Sequence, residues 1–240
     1  MNPVSRSSRL VRLPLVAATV LGLVLVSACG VGPEVLAPTT AAQVGDDRIS
    51  VDEVDQATDD LCTMLGQLVE AGNDAAVPGG VARQDMVSAL SLRSLADQLS
   101  AEYDVEVGEA VAAAADAQEQ QLSGAGVDAD AIEAVLPQIT AGAYFAEVLV
   151  AIGREELGLP DTDDNASEAL DAGLETAVAW QEENGFEVNP RFGTIELAVG
   201  EQGLVRGLSE TSVAVSIEAQ AGVDGETNVG DLPASQRCGA

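Results

Sequence analysis

Residues 13–26 form an apolar run broken only by Pro14 and small residues, and the later apolar positions set out a mostly helical chain. Residues 42–50 read as a short strand, a tight turn at Gly45-Asp46-Asp47 and a second extended stretch. Ser50-Val51-Asp52-Glu53 has the spacing of a capping box, in which a Ser oxygen and a Glu side chain satisfy two orphan N–H donors. The helix it opens is expected to reach about residue 71, with Val54, Leu61, Cys62, Leu65, Leu68 and Val69 on one stripe. Gly72-Asn73 ends it and Pro78-Gly79-Gly80 marks a loop. A second helix is predicted over 82–102, with Leu92, Leu95, Leu99 and Tyr103 on one face. An extended link over 104–107 and an Ala-rich third helix over 108–122 follow. Asp128 starts a short helix to 136, and Pro137 is expected to begin the next, carrying Ile139, Tyr144, Phe145, Val148, Leu149 and Ile152 to about residue 157. Asn165-Ala166-Ser167-Glu168 has a second capping-box-like spacing, opening a helix to Asn184 with Leu170, Leu174, Ala177, Val178 and Trp180 as its apolar set. Gly185 suits its C-terminal cap, and residues 186–196 switch to extended character. Beyond 197 the chain is Gly-rich, with weak strand-like alternation over 213–217 and a flexible reading over 219–228.

Composition narrows the chemistry. Ten Lys+Arg, all of them Arg, stand against 40 Asp+Glu, for a formal charge of −30, and there is no His. Without His there is no Ser-His-Asp triad, no Cys-His dyad and no His-ligated metal. The acidic excess opposes nucleic-acid binding, which needs a basic footprint. A hydrophobic fraction of 47% is too high for a wholly disordered acidic chain.

The amino terminus sets the compartment. Arg6, Arg9 and Arg12 precede the apolar run, residues 1–28 hold no acid, and small residues follow the run. This is the layout of a secretory signal, too short for a comfortable membrane span. Val26-Ser27-Ala28-Cys29 resembles a bacterial lipobox. That resemblance implies cleavage before Cys29, lipidation of its thiol and retention on the outer face of the cell membrane; the alternative is an ordinary signal with an incidental Cys. Each buried acyl methylene adds roughly 0.8 kcal/mol of anchoring. Loss of the three signal Arg takes the formal charge from −30 to −33. Residues 29–42, with two Pro and no helical stripe, are read as a tether.

With Cys29 assigned to lipid, Cys62 and Cys238 remain of the 3 Cys. Outside the cytoplasm two such thiols most simply pair. The loop so closed would add roughly 4–5 kcal/mol by chain entropy and pin the C-terminal segment. The alternative is two free thiols, one buried and one on a loose tail.

Other motifs are weaker. Asp161-Thr162-Asp163-Asp164-Asn165 begins like a calcium loop, but Ala166 stands where Gly is needed and Ala172 where the bidentate Glu is needed, so an acidic linker and helix cap is preferred. Asn165-Ala166-Ser167 fits a glycosylation sequon and is taken as coincidence. Glu182 and Glu183 read as a solvated face. Trp180, Phe186 and Phe192 hold half of the six aromatics within thirteen residues. They form either a plug where the last helix meets the strand or an apolar surface for client peptides. No catalytic residue, metal ligand or cofactor is predicted.

Three stretches and the chain's ending together carry a family resemblance. Residues 42–50 with the helix after them resemble the start of the SurA N-terminal chaperone domain. Residues 99–109 resemble that domain's later helix–link–helix passage. Val188-Asn189-Pro190-Arg191-Phe192-Gly193 is similar to a segment that closes actinobacterial members, as is the ending Leu232 to Gly239. The resemblance implies a helical cradle over 43–196, with a small two- or three-stranded β element joining the N-terminal strand to the segment around 186–196. Residues 197–240 follow as a Gly-rich segment. It also implies binding of exported, unfolded polypeptides. No segment reads as a parvulin-type isomerase, whose typical His residues are missing here. The expected protein is a non-enzymatic, membrane-anchored lipoprotein of chaperone type; the alternative is a scaffold docking one cell-envelope partner through the Ala-rich helices.

Overall fold

A β-hairpin and the helix it feeds open the fold. The structure, a computed structural model, describes residues 36–196, 205–207 and 229–239. Strand β1 (Thr40–Val44) pairs antiparallel with β2 (Asp47–Ser50) through a turn at Gly45, whose φ of +53° suits the residue without a Cβ. Thr40, Ala41 and Ala42 are buried in β1, so these three residues, placed by the sequence reading in a tether, belong to the folded unit. The signal segment, Cys29 and residues 213–217 and 219–228 lie outside the described residues.

Helix α1 (Val51–Glu70) starts on the expected capping box: the Glu53 N–H donates to Ser50 Oγ at 3.1 Å and the Ser50 N–H donates to Glu53 Oε2 at 2.7 Å. Val54, Leu61 and Met64 are buried on its inner face, but Val69 is exposed and leaves the predicted stripe. The expected loop at 78–80 is replaced by a two-residue strand, β3 (Val77–Pro78), that runs straight into α2 (Gly79–Glu102). Pro78 serves as the N-cap residue of that helix, with extended φ and ψ and no amide hydrogen to leave unpaired.

Helix α3 (Glu109–Gly124) buries only Leu122, and α4 (Ala129–Ile139) follows. Pro137 does not open a new helix, as its place in the sequence predicts, but sits inside α4. A proline deprives the carbonyl four residues back of its donor, here that of Glu133, which is exposed and open to water. Thr140 ends α4, and α5 (Ala141–Leu157) starts at once, at 40° to it. No single described helix is long and apolar enough to cross a membrane.

After a 3-10 turn (Asp163–Asn165), α6 (Ala166–Asn184) packs along α5. Their backbones touch: a Cβ on Gly153 would lie 1.9 Å from the Ala169 carbonyl oxygen, and one on Gly173 would lie 2.0 Å from that of Leu149. The second capping box does not form, because the Asn165 side chain turns back to Pro160 and Thr162. Gly185, φ +88°, ends α6.

Strand β4 (Phe186–Val188) returns to β1, so the sheet order is β2-β1-β4, all antiparallel, with Val44 opposite Phe186 and Ala42 opposite Val188. The described residues are therefore mostly α with a small three-stranded sheet joining the N-terminal strand to the segment after the last helix. Strands β5 (Thr194–Glu196) and β6 (Val205–Gly207) pair separately, and β7 (Arg237–Cys238) pairs with β3.

Candidate functional site

The aromatic cluster lies where α6 meets the sheet. Trp180 and Phe192 are buried and Phe186 is half-buried. The Trp180 indole N–H donates to Glu102 Oε2 at 2.5 Å. The hairpin turn rests on the same ring, since a Cβ on Gly45 would meet the indole edge at 2.8 Å and Gln98 Oε1 at 2.5 Å. Gln98 Nε2 donates to the Val44 carbonyl at 2.8 Å, and Ser94 Oγ donates to Asp47 at 2.8 Å, so α2 grips the turn from below. These contacts make the cluster the plug between helix and strand. As an open apolar surface built from Trp180, Phe186 and Phe192 it is not there: one polar edge finds a carboxylate and the rings are used by the core.

The Asn-Pro-Arg-Phe-Gly stretch has a local structural role. The Asn189 N–H donates to Ala41 O at 2.8 Å, its Nδ2 to Thr40 O at 3.0 Å, and its Oδ1 accepts from the Arg191 N–H at 3.3 Å. Asn189 thus ties β1 to the 3-10 turn Pro190–Phe192 and aims Phe192 inward, while the Arg191 guanidinium lies over that ring at 4.8 Å.

The loop at 161–165 turns its oxygens onto a side chain of the same protein. Arg154 pairs with Asp161, donates to the Thr162 carbonyl at 2.8 Å and donates to Asn165 Oδ1 at 3.3 Å. An Arg guanidinium, with five donors in a fixed fork, takes these acceptors. Among the described residues no group of three or more His, Cys, Asp or Glu is placed to hold a metal ion. Glu182 and Glu183 are exposed on α6.

Two acidic features escaped the linear reading because their members are far apart in sequence. Between α1 and α4 an open cleft of about 520 Å³ is lined by Asp60, Thr63, Gln67, Asp128, Asp130 and Ala134. Gln67 clamps its floor, accepting from the Asp128 N–H at 2.8 Å and donating to the Asp128 carboxylate at 3.3 Å. Near the C-terminal end of α2, burial and then the charges of Glu102, Glu156 and Glu183 raise the Tyr103 phenol above its ordinary pKa. Tyr144 is raised too, first by burial and then by its hydrogen bond to Asp97 at 2.8 Å and that residue's charge; Arg93, over the ring at 5.5 Å, opposes the shift.

Cys62 and Cys238 form a disulfide that closes 176 residues of sequence. Cys62 is half-buried on α1 and Cys238 is buried at the chain's end. The linear reading anticipated the pair; the strand that brings it together, β7 on β3, was not legible in a two-residue segment.

No protein-family model matches the chain, and neither the curated proteins nor the solved structures include a significant match.

Proposed function

We propose that this protein is a lipoprotein, anchored through Cys29 on the outer face of the cell membrane, that binds exported and incompletely folded polypeptides without catalysing a reaction on them. The observation that carries the reading is the β2-β1-β4 sheet, in which the segment after the last helix returns to the N-terminal strand as the SurA resemblance implies. The Cys62–Cys238 bridge supports an oxidising compartment. The acidic excess and the cleft carrying Asp60, Asp128 and Asp130 favour clients with basic segments. Because Trp180 and Phe192 serve the core, client contact falls to other surfaces.

The test is suppression of aggregation of an unfolded basic model protein by the chain lacking residues 1–29. Suppression near stoichiometric ratio is expected, and none at several-fold excess contradicts the reading.

One observation favours a second reading, a scaffold for a single envelope partner. Helix α3 buries only Leu122 and leaves most of its Ala-rich length exposed. A pull-down from envelope extract separates the two: one stoichiometric partner supports the scaffold, and many unrelated exported chains support the client binder.

A further inference from the structure

The β2-β1-β4 sheet ends on β4, and the outer edge of that strand is open. The Gly45 N–H donates to Gly185 O and the Asn189 N–H donates to Ala41 O, both across the β1–β4 pair. In an antiparallel ladder the bonded pairs recur every second residue, so Gly185, Glu187 and Asn189 turn their backbone groups toward β1. Phe186 and Val188 therefore turn theirs away from it. No described residue pairs with these outward N–H and C=O groups. Gly185 and Glu187 are exposed, and Phe186 and Val188 are half-buried. The opposite edge of the sheet is less open: the Ser50 N–H is taken by Glu53, and β2 runs straight into α1.

We propose that the outer edge of β4 takes up an extended polypeptide as a further strand, one in which apolar residues alternate with basic ones. Phe186 and Val188 each offer it one N–H and one C=O, the means by which a strand edge holds a chain of varied sequence. The side-chain pattern follows from the two faces of β4. Phe186 and Val188 lie opposite the buried Val44 and Ala42, so on that face an incoming strand meets half-covered apolar side chains. Glu187 is exposed on the other face, where a Lys or Arg directly opposite is favourable and an acid is not. Glu182 and Glu183, exposed in the last turn of α6, add to the negative field, and the nearest cation in sequence, Arg191, lies over the Phe192 ring.

A second copy of this chain does not suit the edge. Two β4 strands paired antiparallel about Glu187 would set one Glu187 against the other, and each copy carries the same acidic excess. The proposal rests on the client-binding reading and gives that reading a site. It also sets what a client must bring: no proline where its backbone meets Phe186 or Val188, because a proline there lacks the donor.

The experiment is amide hydrogen exchange on the full chain, alone and with an excess of a short labelled peptide of alternating valine and lysine. In the free chain the Phe186 and Val188 amides should exchange fast and the Glu187 amide, bonded to β1, slowly. The peptide should slow Phe186 and Val188 by at least ~10-fold and leave Glu187 little changed. Val188→Pro removes one outward donor and should weaken peptide binding by at least ~5-fold. Glu187→Arg should shift the preference to a peptide of alternating valine and glutamate. Slow exchange of Phe186 and Val188 in the free chain overturns the proposal, since the edge is then already occupied. So does peptide binding that leaves both amides fast, or no peptide binding at all. These readings come from the unaltered chain and hold whether or not the Val188→Pro chain folds. Equal peptide binding by a folded Val188→Pro chain also overturns the edge, and an unchanged preference for lysine in Glu187→Arg overturns the basic pattern. An unfolded basic client separates the two proposals. Client binding without protection of Phe186 and Val188 removes the edge and leaves the client reading, whereas peptide protection of both amides without client binding removes the client reading and leaves the edge.

Discussion

Trp180 donates its indole N–H to Glu102 at 2.5 Å across 78 residues of sequence, which joins the last helix to the end of α2. The ring is buried, and Glu102 reaches it from an exposed position. Trp180→Phe keeps most of the volume and loses one hydrogen bond, whose exposed acceptor turns to water, so it is expected to cost about 0.5–1.5 kcal/mol. Trp180→Ala also opens a cavity and is expected to cost about 3–5 kcal/mol. Urea unfolding followed by circular dichroism checks both. A change under ~0.5 kcal/mol for Trp180→Ala would mean that the ring is not part of the core.

Helices α5 and α6 meet through reciprocal glycines, each lying against a carbonyl of the other helix. Gly173→Ala places a methyl where the Leu149 carbonyl stands and should destabilise by about 1–3 kcal/mol or more, because backbone cannot yield as a side chain does. Gly66→Ala, in α1 with open space around its Cβ direction, should instead stabilise by about 0.5–1 kcal/mol. The opposite signs of two identical substitutions are the check, again by urea midpoint.

The two tyrosines are the only Tyr in the chain, and both are raised above the ordinary value of 10.0. A folded pKa above the unfolded one means the folded state holds its proton more tightly. That stability is complete below about pH 10 and is lost as pH rises through the folded values. Tyrosinate absorbance of the native chain should therefore appear at higher pH than in the urea-unfolded chain, and Tyr144→Phe should remove one of the two late steps. Coincident native and unfolded titrations would contradict the burial of these phenols.

The capping box at Ser50 and Glu53 could be read straight from the sequence, since its partners are three residues apart and their chemistry is local. Ser50→Ala is expected to lower stability by about 0.5–2 kcal/mol, measured by thermal or urea unfolding.

The helices were legible where apolar spacing and caps agree, as at α1, and so was the small sheet through the extended character of 186–188. What failed was decided by distant partners. Pro137 looks like a helix start but continues α4. Asn165 looks like a capping-box residue, but its side chain is taken by Pro160, Thr162 and Arg154. Pro78-Gly79-Gly80 looks like a loop because the strand that pairs with Val77–Pro78 lies at the other end of the chain. The Cys62–Cys238 pair could be anticipated by counting thiols, yet the β3–β7 pairing beside it could not. Trp180 and Phe192 carried no linear sign separating plug from surface until Glu102 and Gly45 were seen against the ring.

The central claim, that this acidic, tethered unit binds unfolded polypeptide, is tested most directly by fluorescence anisotropy of a labelled, permanently unfolded basic polypeptide titrated with the chain lacking residues 1–29. Saturable binding that weakens as salt is raised is expected, because charges on the acidic surface contribute. A flat titration at stoichiometric excess in low salt would contradict it.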